Sequence, residues 1–134
     1  MAAGLSEHLP KALAAFLREH PDISVDVEEP ESTDIAAAIA SGAADLGFAA
    51  EHALPDNLER FLFSEDRLML VAAGVGIAVV PEAAARRCAR SMSIMMIKIR
   101  DPWANRKLAI CARSFSTLPR PAKQLVEHLR KAAQ

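Results

Sequence analysis

The sequence contains no tyrosine, one tryptophan and five phenylalanines, so aromatic residues make up only 4% of its 134 positions. That scarcity excludes a stacking platform for nucleic-acid bases. There is no excess of either charge: 16 Lys plus Arg face 17 Asp plus Glu, for a formal net charge of −1. A sequence-independent nucleic-acid binder needs a basic footprint, so these residues are not expected to bind DNA themselves. Cysteine is scarce as well. Cys88 and Cys111 lie in apolar stretches with no histidine at metal-ligand spacing, and both read as reduced core residues rather than as a disulfide or a metal site. The longest apolar run, Leu68 to Pro81, is interrupted by two glycines and falls short of the roughly 20 residues that cross a bilayer. Residues 1–11 lack the basic stretch and long apolar run of an export signal, so a cytoplasmic location with no membrane contact is expected.

What is present is core material. Apolar residues make up 51% of the chain, against 25% charged, enough for one compact α/β or α+β domain. Alanine supplies about a fifth of all positions, which favours helix faces packed through small side chains.

Leu5, Leu9, Leu13, Phe16 and Leu17 recur at helical spacing, with Ser6 as a cap, until Pro21 ends the pattern. Ile23, Val25 and Val27 alternate with polar residues, as in a strand with one covered face. Ser32, Thr33 and Asp34 offer caps for a second helix that Gly42 ends, and Asp45 to Ala50 reads as a short buried strand. Leu58 to Phe63 and Arg67 to Val71 read as two short strands separated by Ser64-Glu65-Asp66. Ile77 to Val80 is a further strand, and Pro81 opens a helix through Arg90. Met92 to Ile99 and Lys107 to Ala112 are strands around the turn at 101–105, and a last helix starts at Pro121. The helix–strand alternation of the first half predicts a mostly parallel sheet flanked by helices.

The junction near Val71 to Gly74 is the awkward point. A parallel pairing of the buried segments on either side needs a crossover of a dozen residues or more, and none is there. The alternatives are a hairpin through Gly74 or Gly76, or a segment missing between residues 71 and 74.

In order and spacing, LSEHLPKALAAF (5–16), HPDI (20–23), STDIAAAIASGAADLGF (32–48), Arg67 to Val71 and GVGIAVVPE (74–82) resemble the effector-binding domain of LysR-type transcriptional regulators. Asp101-Pro102-Trp103-Ala104 and residues 118–129 are similar to one branch of that family. The resemblance implies a periplasmic-binding-protein-like α/β lobe, with residues 1–71 and 74–134 as the two halves of lobe one. Against that pattern a second lobe is expected at the 71–74 junction and a winged helix-turn-helix before residue 1, neither of which is recognised in these residues. It also implies a small effector, carboxylate-bearing, control of transcription through that absent DNA-binding domain, and assembly into a dimer or tetramer. The rival architecture is a periplasmic-type solute-binding protein, against which the lack of an export signal and the two unpaired cysteines argue.

Domains of this type bind anions where helix N-termini meet strand ends, because unpaired N–H groups and the helix dipole converge there. The expected effector residues are Ser6, Ser32, Thr33, Phe48, Ala49, Pro81 and Glu82. For Ser6 and Ser32 the plain alternative is a helix cap. His8, His20, His52 and His128 lie on separate elements without ligand spacing and read as solvated. The run Asp26, Glu28, Glu29, Glu31 and Asp34 reads as a wet strand edge, and Arg86, Arg87 and Arg90 as complements to a helix C-terminus. No nucleophile motif, paired carboxylates or dinucleotide fingerprint is present, so neither an enzyme nor a cofactor is expected.

Overall fold

The computed structural model describes residues 2–3, 8–28 and 32–133, with side chains for 8–28 and 34–133. Ser6, the expected cap of the first helix, lies outside the described residues. The chain forms two compact units: residues 1–64 with 107–134, and residues 65–106.

The first unit begins with β1 (Ala2–Ala3), followed by α1 (His8–Glu19). Residues 23–27 do not form the expected strand, and a single bridge follows at Glu28. Then come α2 (Ser32–Ser41) and β2 (Gly47–Ala50). Gly42, at φ 82°, ends α2 in the left-handed conformation that glycine adopts without strain. The Ala44 amide donates back to the Ala38 carbonyl. Strands β1 and β2 pair in parallel, and β2 pairs antiparallel with β6 (Asn105–Ala112). The helix α4 (Arg120–Ala132) closes the unit.

Alternation along the strands sorts the core into two clusters. Leu46, Phe48, Leu108, Ile110 and Ala112 pack with Leu9, Ala12 and Phe16 of α1 and with Leu125, Val126 and Leu129 of α4. On the other face Ala49, Ala109 and Cys111 pack with Ile35 and Ile39 of α2. The sheet is therefore covered on both sides. Gly47 is where α2 comes closest: a Cβ there would meet Ile39 Cδ1 at 2.5 Å, Cys111 Sγ at 2.8 Å and Ile35 Cγ2 at 2.9 Å.

In the second unit, β3 (Glu59–Ala73) enters from the first as one unbroken strand of 15 residues, not two short ones. The polar triplet stays extended because Ser64 is buried and Asp66 is held by Arg106. β3 pairs antiparallel with β4 (Gly76–Pro81) and with β5 (Met95–Lys98). α3 (Glu82–Ser91) packs on β4.

One expectation is corrected here, and of the two alternatives at the junction the chain forms the hairpin. The sheet is not mostly parallel: β1–β2 is parallel, whereas β2–β6, β3–β4 and β3–β5 are antiparallel. The 71–74 junction is a continuous tight hairpin, with Ala73 opposite Gly76 and Gly76 at φ 151°. A connection that short can join only antiparallel neighbours. The hairpin thus supplies the antiparallel solution to the absent crossover.

Candidate functional site

Connectivity defines one end of the first unit. Because β1 and β2 are parallel, their C-terminal ends coincide. α2 returns to the start of β2 through residues 42–46 and lies along it, with Ile39 and Ile35 over Gly47. The first turn of α2, which carries Ser32, Thr33 and Asp34, is thereby brought to the end of the sheet where β2 finishes at Ala50. Parallel α/β units bind ligands at this end.

Beyond Ala50 the chain makes a 3-10 turn (Glu51–Ala53) and a loop that returns to β3. One residue ties this loop together, and the sequence gives no hint of it. The Arg60 guanidinium donates to the carbonyls of Leu58 at 3.1 Å and of Glu51 and Leu54 at 3.4 Å each, and also to that of Pro55. A planar fork of five N–H donors suits that many carbonyls at once. Arg60 is therefore the positioning residue of the loop next to the site. Its charge also acts on Cys111, whose thiol burial pushes up to about 11, with Arg60 and the Gly47 backbone pulling the other way.

The other expected site residues divide. Phe48 is fully buried, edge-on to Phe63 with ring centroids 5.8 Å apart. Ala49 is buried on the opposite face of β2. Both side chains are committed to the core, because helices cover β2 on both faces. Pro81 and Glu82 belong to the second unit. There Pro81 ends β4 opposite Leu68, and the Glu82 carboxylate is taken by Arg86 at 2.7 Å, one helical turn on.

The histidines and cysteines also need correction. His20 and His128 are half-buried rather than solvated. His128 Nε2 lies 3.0 Å from the Ala12 carbonyl and His20 Nδ1 lies 3.1 Å from that of Phe16, so these nitrogens carry the proton in the bonds that fasten α1. Both rings also pack on Phe16. Cys111 is a buried thiol as expected, whereas Cys88 is exposed on α3. Among the described residues no group of three or more His, Cys, Asp or Glu could hold a metal ion. No helix among them is long and apolar enough to cross a membrane.

A cavity of about 280 Å³ also opens in the first unit. Phe16, Ile23, Val25, Leu46, Pro121 and Leu125 give it apolar walls, while exposed Asp26, Glu28 and Asp45 make its lining acidic. It borders residues 23–28 and residues 43–46, which lead into β2. Its charge suits a carboxylate poorly.

The model of the LysR substrate binding domain matches residues 2–73 and 68–134. No curated relative matches the sequence. Among solved structures, the chain is similar to the regulatory domain of MetR, a LysR family regulator from N. meningitidis. The TM-score is 0.76 at 11% identity, over 98% of this chain and 92% of that one. It is also similar to full-length CbnR complexed with its target DNA, with TM-score 0.75 and 15% identity over 99% of this chain and 70% of that chain. A third likeness is to the BenM effector binding domain with its effector benzoate, with TM-score 0.72 and 15% identity over 97% and 89%. At these identities the likeness is one of fold.

Proposed function

Since the chain belongs to the LysR substrate binding domain family, we propose that it is the ligand-sensing regulatory domain of a LysR-type transcriptional regulator. A small effector carrying a carboxylate binds at the C-terminal end of β2. The observation that carries this reading is the placement of the first turn of α2 at that end. A helix start favours an anion through its N–H groups and the positive end of its dipole, and the sequence puts the hydroxyl residues Ser32 and Thr33 in that turn. Arg60 holds the loop at the rim in one shape, which lowers the ordering cost of binding. The benzoate of the BenM domain is a carboxylate of the proposed size class.

In this reading the protein is not an enzyme. The effector stabilises one arrangement of the assembled regulator over another, and transcription follows that population shift. DNA is reached only through an N-terminal winged helix-turn-helix outside these residues. The regulator works in the cytoplasm as a homo-oligomer. Residues 1–71 and 74–134 are the halves of lobe one, and the second lobe of the family domain belongs at the hairpin. The overlap of the two family matches at residues 68–73 supports that division.

The test is calorimetric titration of the chain with benzoate as probe, at one pH and salt, for wild type and Ser32→Ala. One neutral hydrogen bond is worth about 0.5–1.5 kcal/mol, so affinity should fall roughly 2-fold to 12-fold. Equal affinities leave Ser32 as a helix cap only, and absence of binding by benzoate and other small carboxylates removes the proposal.

A further inference from the structure

The cavity of about 280 Å³ in the first unit is divided in character. Its buried walls are apolar: Phe16, Leu46 and Leu125 are all buried, with half-buried Ile23 and Val25 beside them. Its charged lining is exposed, with Asp26 and Glu28 from the segment before α2 and Asp45 from the turn into β2. Among the described residues that line it there are three carboxylates and no Lys, Arg or His. Ala43, Ala44 and Ala122 also line it, and side chains that short leave the space open. The start of α4 contributes roughly half a positive charge there, and Pro121 has no N–H to give. Three carboxylates outweigh that half charge.

We propose that this cavity binds a small amphipathic organic cation, an arylalkylammonium whose ring lies against Phe16, Leu46 and Leu125 and whose ammonium stays at the acidic mouth beside Glu28 and Asp45. Wall chemistry, size and charge select that class. Apolar walls facing open space lack dispersion partners on that side, and a water at the inner end finds too few polar groups to bond. An apolar group supplies the missing contacts. A dry apolar cavity of ~150 Å³ holds benzene, so about 280 Å³ takes one such ring with a chain of about two carbons, near the lower end of small-molecule sites. Carboxylates at the mouth repel an anion and attract a cation. Because they are exposed, solvent and salt screen that attraction, so charge selects the ligand more than it tightens it. This is a second ligand class, opposite in sign to the carboxylate effector proposed above.

The experiment is titration of the isotope-labelled chain with phenethylammonium chloride, beside phenethyl alcohol as the neutral match and hydrocinnamate as the anionic one, each read by backbone amide shifts at residues 23–28 and 43–46. The cation should give saturable shifts there, the alcohol should bind more weakly and the anion most weakly. Glu28→Gln and Asp45→Asn should each weaken the cation roughly 1.5-fold to 5-fold and leave the alcohol unchanged, and added salt should weaken the cation alone. Ala43→Phe fills the mouth from an exposed position, so it should abolish binding of cation and alcohol while circular dichroism shows the fold intact. No saturable shift in these residues, an anion that binds there as tightly as the cation, charge variants that both bind the cation as wild type does, or undiminished binding by a folded Ala43→Phe would each overturn the proposal. Benzoate does not enter this test, so its failure leaves the effector reading standing.

Discussion

Asp66 and Arg106, 40 residues apart in sequence, form a two-pronged pair: Arg106 Nε donates to Asp66 Oδ1 at 2.7 Å, and Nη2 donates to Oδ2. Both side chains are only 18% exposed. They stand just inside the second unit, one beside each place where the chain enters and leaves it. A short polar stretch that composition alone assigns to a turn becomes mid-strand because its acid has a partner supplied from far along the chain.

Breaking that pair is the first prediction. Asp66→Asn and Arg106→Gln should each destabilise the protein by about 1–3 kcal/mol, since each leaves a half-buried partner short of its bonds. The double variant should cost less than the two singles together. Urea unfolding of all four proteins at one pH and salt measures the coupling, and strict additivity would contradict it.

Gly47 provides the second. Alanine there puts a methyl group within 2.5–2.9 Å of Ile39, Cys111 and Ile35, and overpacking of this kind costs about 1–3 kcal/mol. Ile39→Val deletes the nearest atom, so the pair Gly47→Ala with Ile39→Val should be more stable than the two separate losses predict. Thermal melts of the set decide it.

The third concerns Cys111. Its thiol is raised from 9.0 to about 11 by burial, so the folded state holds the proton more tightly than the unfolded state does. The contribution is fully present below pH 9 and is lost as pH rises from about 9 through 11, amounting to at most about 2–3 kcal/mol. Cys111→Ala should remove that slope, so wild type should lose more stability than the variant between pH 8 and 10.5. In the native protein at pH 8, a thiol reagent should modify exposed Cys88 promptly and Cys111 only on unfolding.

Arg60 gives the fourth. Arg60→Ala should release the 51–58 loop, seen as faster amide exchange at Leu54 and Leu58, whose own amides are bonded within the loop to Glu51 and Pro55. Arg60→Lys should restore little, because one ammonium cannot reach carbonyls spread over four residues. Unchanged exchange in Arg60→Ala would mean that the loop holds itself.

Periodicity and punctuation made most elements legible. The stripe of α1, the stop at Gly42, and the strands at β2, β4 and β6 follow from spacing, glycine and proline alone. Pairing direction was not legible, because it depends on which strands become neighbours: β6 joins β2 from 55 residues beyond its end, and the hairpin at Gly74 fixes β4 against β3. Residues 23–27 have the alternation of a strand but do not form one, which shows the limit of a local signal. At the site, helix starts could be read from cap residues. The commitment of Phe48 and Ala49 to opposite cores required knowing that β2 is covered on both faces, and Arg60 works through main-chain carbonyls, which leave no mark in a sequence.

The central claim is that the C-terminal end of β2 and the start of α2 receive an effector carboxylate. Backbone amide shifts of the isotope-labelled chain, followed during titration with benzoate, test this most directly. The account predicts saturable shifts concentrated at residues 32–34 and 50–53, with residues 43–46 at the acidic cavity unmoved. Shifts centred on the cavity, or none for benzoate or other small carboxylates up to millimolar concentration, would contradict it.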